Sequence, residues 1–124
     1  GEDVAQAMEM HGQLMQRMRV FQEQYPFIVC AVNQLPPFDA KLDWPHEIDG
    51  VKMATYLDWM KSAYLITSTF CPAISVPAGF TDDGLPVGIQ IVGRYRDDLG
   101  VLQLAHAFEQ ATGFGQRRPE VALN

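Results

Sequence analysis

The sequence predicts an α/β domain whose elements run helix, strand, helix, strand, strand, helix. Three observations carry that prediction. Two stretches, 3–24 and about 97–112, repeat apolar residues at helical spacing. A continuous apolar run at 27–32 has the composition of a strand. Two further apolar runs, 73–80 and 87–93, flank an Asp-Gly turn and read as a hairpin. With 124 residues, 48% of them hydrophobic and 19% charged, the chain suits one globular unit and leaves no room for two.

The first helix, 3–24, places Val4, Ala7, Met8, Leu14, Met15, Met18 and Phe21 on one stripe with His11. Asp3 is its expected N-cap and Pro26 its stop. A methionine-rich face can serve adaptable binding, and core packing is the plainer expectation. The run Phe27-Ile-Val-Cys-Ala-Val32 reads as a strand covered on both faces. Residues 33–50 carry Pro36, Pro37 and Pro45 without periodicity, so they form a long loop of the kind that lines sites. A second helix is expected over 51–68, with Met53, Leu57, Met60, Tyr64 and Leu65 on one side.

In the strand 73–80, Pro77 cannot donate to a ladder and marks an edge or an exit. Asp83-Gly84 supplies the positive φ of a tight turn. The last helix opens at Asp97 and Asp98, suited to a positive helix end, and closes at Gly113. Leu99, Leu102, Ala105, His106 and Glu109 are its expected stripe.

Composition excludes several classes of function. The apolar content is too high for a disordered chain, and no run approaches the roughly 20 apolar residues of a membrane span. A formal charge of −6 argues against a nucleic-acid platform, and Arg117-Arg118 alone makes a weak patch. Nor is there a basic amphipathic face for anionic lipid. Cys30 and Cys71 lie in apolar stretches and read as buried thiols of a cytoplasmic protein. The opening Gly-Glu-Asp lacks the marks of a signal peptide. It also lacks a methionine, which raises the expectation that the chain begins inside a larger protein.

The residues hold no complete catalytic set. His11, His46 and His106 have no cysteine or histidine at ligand spacing, so neither a metal nor a cofactor is expected. His11 and His106 read as packing histidines, whereas His46, in Trp44-Pro-His-Glu47, could face a ligand. Ser62, Ser68 and Ser75 sit in neither a Gly-x-Ser-x-Gly elbow nor a Ser-x-x-Lys pair. The pairs Asp82-Asp83 and Asp97-Asp98 suit a turn and a cap better than acid–base work.

Two motifs then narrow the field. Cys71-Pro-Ala-Ile-Ser-Val-Pro-Ala-Gly-Phe80 and Gly84-Leu-Pro-Val-Gly-Ile-Gln-Ile-Val-Gly93 resemble, in order and spacing, the C-terminal region of the amidase signature family. The helix from Asp97 with Ala105, Phe108 and Glu109, and the stretch Thr55-Tyr-Leu-Asp-Trp-Met60, fit the same region. The resemblance covers about residues 50–118. It implies the C-terminal portion of a mixed-sheet α/β fold, with the whole of 1–124 as a single domain or a fragment of one. It also implies an amide hydrolase that cleaves the C–N bond of a small linear amide through two serines and a lysine. Those groups lie in the N-terminal part of family members, so no catalytic residue is assigned here and the chain alone is expected to be inactive. Tyr56, Trp59, Met60 and His46 are the candidate substrate-pocket contacts. Two residues depart from the pattern: Phe70 stands where many relatives have glycine, and Thr67 where many have asparagine.

The partners so implied are the rest of an amidase chain and a small amide, with no nucleic acid and no membrane. Two alternatives stay open. One is a standalone interaction module that self-associates into a homo-oligomer through its methionine-rich helix and unpaired sheet edge. The other is part of a tRNA-dependent amidotransferase subunit.

Overall fold

A computed structural model describes residues 1–118 of the chain. It begins with helix α1, Glu2–Gln24, and continues into strand β1, Ile28–Ala31. A loop leads to two short paired strands, β2 (Glu47–Ile48) and β3 (Val51–Lys52). Two single helical turns follow, α2 (Tyr56–Trp59) and α3 (Lys61–Tyr64), and then a 3-10 stretch, Leu65–Thr69. The hairpin strands β4 (Ala73–Phe80) and β5 (Pro86–Val92) lead into helix α4, Asp98–Thr112, and a 3-10 turn, Phe114–Gln116.

The three longer strands form one antiparallel sheet in the order β1-β5-β4. β5 is central because it pairs on both sides: Ile91 lies opposite Val29 on one flank and Ile74 on the other. The hairpin turn works as its sequence requires. Gly84 takes φ 81, its N–H donates to the Thr81 carbonyl at 2.8 Å, and the Thr81 hydroxyl accepts from the Leu85 N–H at 3.0 Å. Pro77 lies on an outer strand, where a missing donor costs least, and the register shifts between Pro77 and Gly79.

The core forms where α4 lies on this sheet. Val76, Ile91 and Ala105 are buried together, with Phe27, Ile74, Ile89, Leu104 and Phe108 packed around them. Asp97 caps α4 by accepting the Gly100 N–H at 3.0 Å, and Gly113 ends the helix at φ 67. Among the described residues no helix is long and apolar enough to cross a membrane.

Several expectations about single elements need correction. β1 is an outer strand with Val29 54% exposed, not one covered on both faces; apolar composition reports a need for cover, and only the face of Ile28 and Cys30 is partly covered. The span 51–68 is not one helix. Residues 51–52 pair as β3, a capping box between Thr55 and Asp58 starts α2, and helical geometry lapses at Met60. Beyond Tyr64 the β-branched Ile66, Thr67 and Thr69 weaken the α-helix, which gives way to the 3-10 stretch, and the Thr69 hydroxyl donates to the Ile66 carbonyl at 2.7 Å. Asp3 is not a cap but a first-turn acid, since α1 begins at Glu2. The methionine face of α1 is not core, because Gln22 is the helix's one buried residue. On α4 the inward stripe is Val101, Leu104, Ala105 and Phe108, while Leu99, Leu102 and His106 face out.

Candidate functional site

The loop after β1 turns back against the hairpin and encloses an open cavity of about 640 Å³. Its walls are the chain from Ala31 to Phe38, the Trp59 side chain, and both ends of the hairpin turn, Phe80-Thr81 and Pro86-Val87. Proline explains why this loop holds a shape: Pro36 and Pro37 fix two successive φ angles. Gln34 then ties the loop to α2, its amide donating to the carbonyls of Asp58 at 3.1 Å and Trp59 at 2.5 Å. Ser62 adds a bond from its hydroxyl to the Val32 carbonyl at 3.2 Å.

Aromatic contacts build the wall outward from Trp59. Phe38 meets its ring edge-on at 5.4 Å between centroids, and Tyr56 does the same at 5.9 Å. The Trp59 indole N–H is buried without a hydrogen-bond partner, a state that costs roughly 1–3 kcal/mol and leaves a donor in reserve. None of the side chains lining the cavity is charged.

The charges lie just behind the wall. Lys61 Nζ approaches Asp58 Oδ1 to 2.9 Å, while Asp58 Oδ2 accepts the Thr55 N–H at 2.9 Å and its hydroxyl at 3.0 Å. The Lys61 ammonium, and then the two Thr55 donors, lower the Asp58 carboxyl from 3.8 to about 2. Asp58 in turn raises Lys61 above its ordinary value. The Thr55–Asp58 capping box fixes the start of α2, and so the position from which Trp59 projects.

The structure groups the four candidate contacts unequally. Trp59 lines the cavity and Tyr56 supports it. Met60 is half-buried at the junction of α2 and α3, where its carbonyl accepts the Ala63 and Tyr64 N–H groups. His46 is exposed and lies outside this cavity; it sits 3.3 Å from Asp43 and packs edge-on against Trp44 at 5.0 Å. Sequence reading missed Gln34 and Phe38. The prolines beside them mark a rigid loop, but which turn that loop would meet is a matter of tertiary structure. Among the described residues no cluster of histidine, cysteine and carboxylate could hold a metal.

The class of protein is that of an α/β fold with a neutral, open cavity beside its hairpin. Residues 2–102 match the family model Amidase, and the chain belongs to that family. Acylamidase from Rhodococcus erythropolis is 33% identical over 124 residues, covering 99% of this chain and 26% of that protein. A glutamyl-tRNA(Gln) amidotransferase subunit from Brevibacillus brevis is 61% identical over 49 residues, 40% of this chain and 10% of that one. Among solved structures, a bacterial aryl acylamidase of the amidase signature family matches with TM-score 0.78 and 25% identity, over 95% of this chain and 26% of its own. 6-Aminohexanoate cyclic dimer hydrolase matches with TM-score 0.75 and 26% identity, over 100% and 27%. Where it matches over nearly its whole length, the chain thus spans about a quarter of the length of these relatives.

Proposed function

We propose that residues 1–124 form the C-terminal part of a cytoplasmic amidase that hydrolyses the C–N bond of a small linear amide, and that this part alone is inactive. Water adds to the amide carbonyl and the C–N bond breaks, giving a carboxylic acid and an amine. The family's serine, bridging serine and lysine have no counterparts in the sequence motifs of this chain, so the remaining amidase chain is the partner that supplies them. What this chain contributes is a wall of the substrate pocket. Trp59 and Tyr56 are its leading contacts, with Met60 beside them; His46, exposed and outside the cavity, has the weakest support of the four.

The observation that carries the reading is the uncharged lining of the cavity, in a chain of amidase descent. An ionic substrate entering it would lose hydration without meeting a side chain of opposite charge among the lining residues. Free glutamine carries an ammonium and a carboxylate, so the cavity suits a neutral amide with an apolar group better. That favours an acylamidase-like role, as in the Rhodococcus relative's name, over an amidotransferase-like one.

Two measurements test the reading. The 124-residue chain should release no nitroaniline from nitroacetanilide; turnover in a preparation free of longer amidase would overturn the claim of inactivity. In a Trp44→Phe background Trp59 is the sole tryptophan. Acetanilide should change its fluorescence saturably and glutamine should not. A response to glutamine alone would reverse the choice of substrate.

A further inference from the structure

Helical geometry breaks at Met60, and the break frees a carbonyl. In a continuous helix the Ala63 N–H would bond the Trp59 carbonyl; here it donates to the Met60 carbonyl at 2.9 Å. A side chain from the loop after β1 takes its place. The Gln34 amide nitrogen has two hydrogens to donate, and its acceptors are the carbonyls of Asp58 at 3.1 Å and Trp59 at 2.5 Å, the last two residues of α2. Gln34 thus does for the end of α2 what a further helical turn would otherwise do.

The same side chain governs what faces the cavity. The Trp59 indole N–H is buried without a partner, so no hydrogen bond from its own ring holds Trp59. Its place follows from its backbone and from the rings that touch it. Gln34 grips that backbone. Phe38, whose ring meets Trp59 edge-on at 5.4 Å, lies four residues beyond Gln34 across the stiff Pro36-Pro37 pair. At its other end the loop is tied to the sheet and to α3. The Val32 N–H donates to the Gly88 carbonyl at 3.5 Å, and the Val32 carbonyl accepts the Ser62 hydroxyl at 3.2 Å. Every one of these bonds joins residues of this chain, so the arrangement does not depend on how much of the outer surface another part of an amidase covers.

We infer that Gln34 is a positioning residue for substrate recognition: its amide holds Trp59 and Phe38 in register, and so sets the width of the cavity that receives the apolar group of the amide. The inference rests on the proposed reading of this cavity as a wall of the substrate pocket. It adds to that reading a residue without which Trp59 and Phe38 keep their chemistry and lose their alignment.

The test uses the 124-residue chain with Trp44→Phe, in which Trp59 fluorescence reports the binding of acetanilide. Gln34→Leu and Gln34→Glu should each weaken binding at pH 7 by roughly tenfold and open Trp59 to iodide quenching, with far-UV circular dichroism unchanged. A carboxylate at position 34 has the shape of the amide but faces two carbonyl oxygens with no hydrogen to offer, which raises its pKa. Protonation returns one donor. Binding by Gln34→Glu should therefore recover as pH falls toward about 5, while Gln34→Leu stays weak. Asp58, lowered to about 2, and Lys61, raised, keep their charges over that range. No response to acetanilide with Gln34 in place overturns the reading of the cavity and this inference with it. Equal affinity in all three chains overturns the inference alone, as does a loss in Gln34→Glu that protonation fails to reverse. If Gln34→Glu does not fold at pH 7, Gln34→Leu decides: undiminished binding overturns the inference, and weakened binding in a folded chain bears it out.

Discussion

Two helices of this chain, α1 and α4, are both amphipathic, yet they meet opposite fates. α4 buries Val101 and Ala105 against the hairpin, and each of its ends is fixed by a cap. α1 is longer, has no side-chain cap, and meets the body through half-buried His11, Met15 and Met18 and a few polar ties. The Gln22 amide donates to the Gly93 carbonyl at 2.8 Å, Arg94 Nε donates to the Gln22 carbonyl at 3.0 Å, and the Ser68 carbonyl lies 2.6 Å from His11 Nε2. The difference teaches that an apolar stripe shows what a helix needs, not whether its own chain provides it. α4 meets a ready sheet face because β4 and β5 precede it directly.

The largest effect should fall on the α4 side. Ile91 is 1% exposed at the centre of the core, so Ile91→Ala should cost about 3 kcal/mol and lower the Tm by roughly 10 °C. At low-micromolar concentration, Met8→Ala on α1 should change stability by no more than about 0.5 kcal/mol. Equal losses from the two variants, measured by thermal unfolding, would break the contrast.

Next in size is Gly93→Ala. A Cβ there would run into the Val101 side chain, and overpacking of this sort costs about 2 kcal/mol. Its denaturant midpoint should fall while Gly12→Ala on α1, where a Cβ meets open space, leaves the midpoint unchanged or raises it.

Gln22→Ala sharpens the comparison from the other side. It strips the donor from the Gly93 carbonyl, at roughly 1–2 kcal/mol. Hydrogen exchange should quicken along α1 while β5 amides keep their protection; uniform quickening would mean that α1 belongs to the same cooperative unit as the core.

The smallest effect concerns Asp58. Its carboxyl is lowered from 3.8 to about 2 in the folded chain, so the folded state binds the proton less readily than the unfolded one. The resulting stability is complete above about pH 4 and is lost as pH falls toward 2. Asp58→Asn should therefore flatten that part of the acid unfolding curve, and an unchanged curve would remove the Thr55–Asp58–Lys61 cluster from the account.

The candidate site was legible in parts. Local chemistry announced the hairpin, the Asp97 cap and the Gly113 stop, since each depends on a few adjacent residues, whereas the Thr55–Asp58 capping box lay unread inside a span expected to be one helix. The prolines marked 33–50 as a shaped loop. That Gln34 would reach the Asp58 and Trp59 carbonyls, or that Phe38 would close on the Trp59 ring, depends on residues more than twenty apart and has no local signal. The break at Met60 was hidden because Met53, Leu57, Met60 and Tyr64 keep helical spacing through it. Phe70 stood out only as a departure from a pattern; its left-handed backbone explains why glycine suits that place.

By itself, then, the sequence determined the order of the two long helices and the three long strands, the hairpin with its turn, and membership of the amidase family through two motifs, because these rest on residues close together in the chain. Tertiary structure alone decided which apolar stripes are buried. Val92 and Val29 are equally apolar, and one is sealed while the other is half in solvent. Burial depends on what lies across the sheet, and no stretch of chain carries that information about its neighbours.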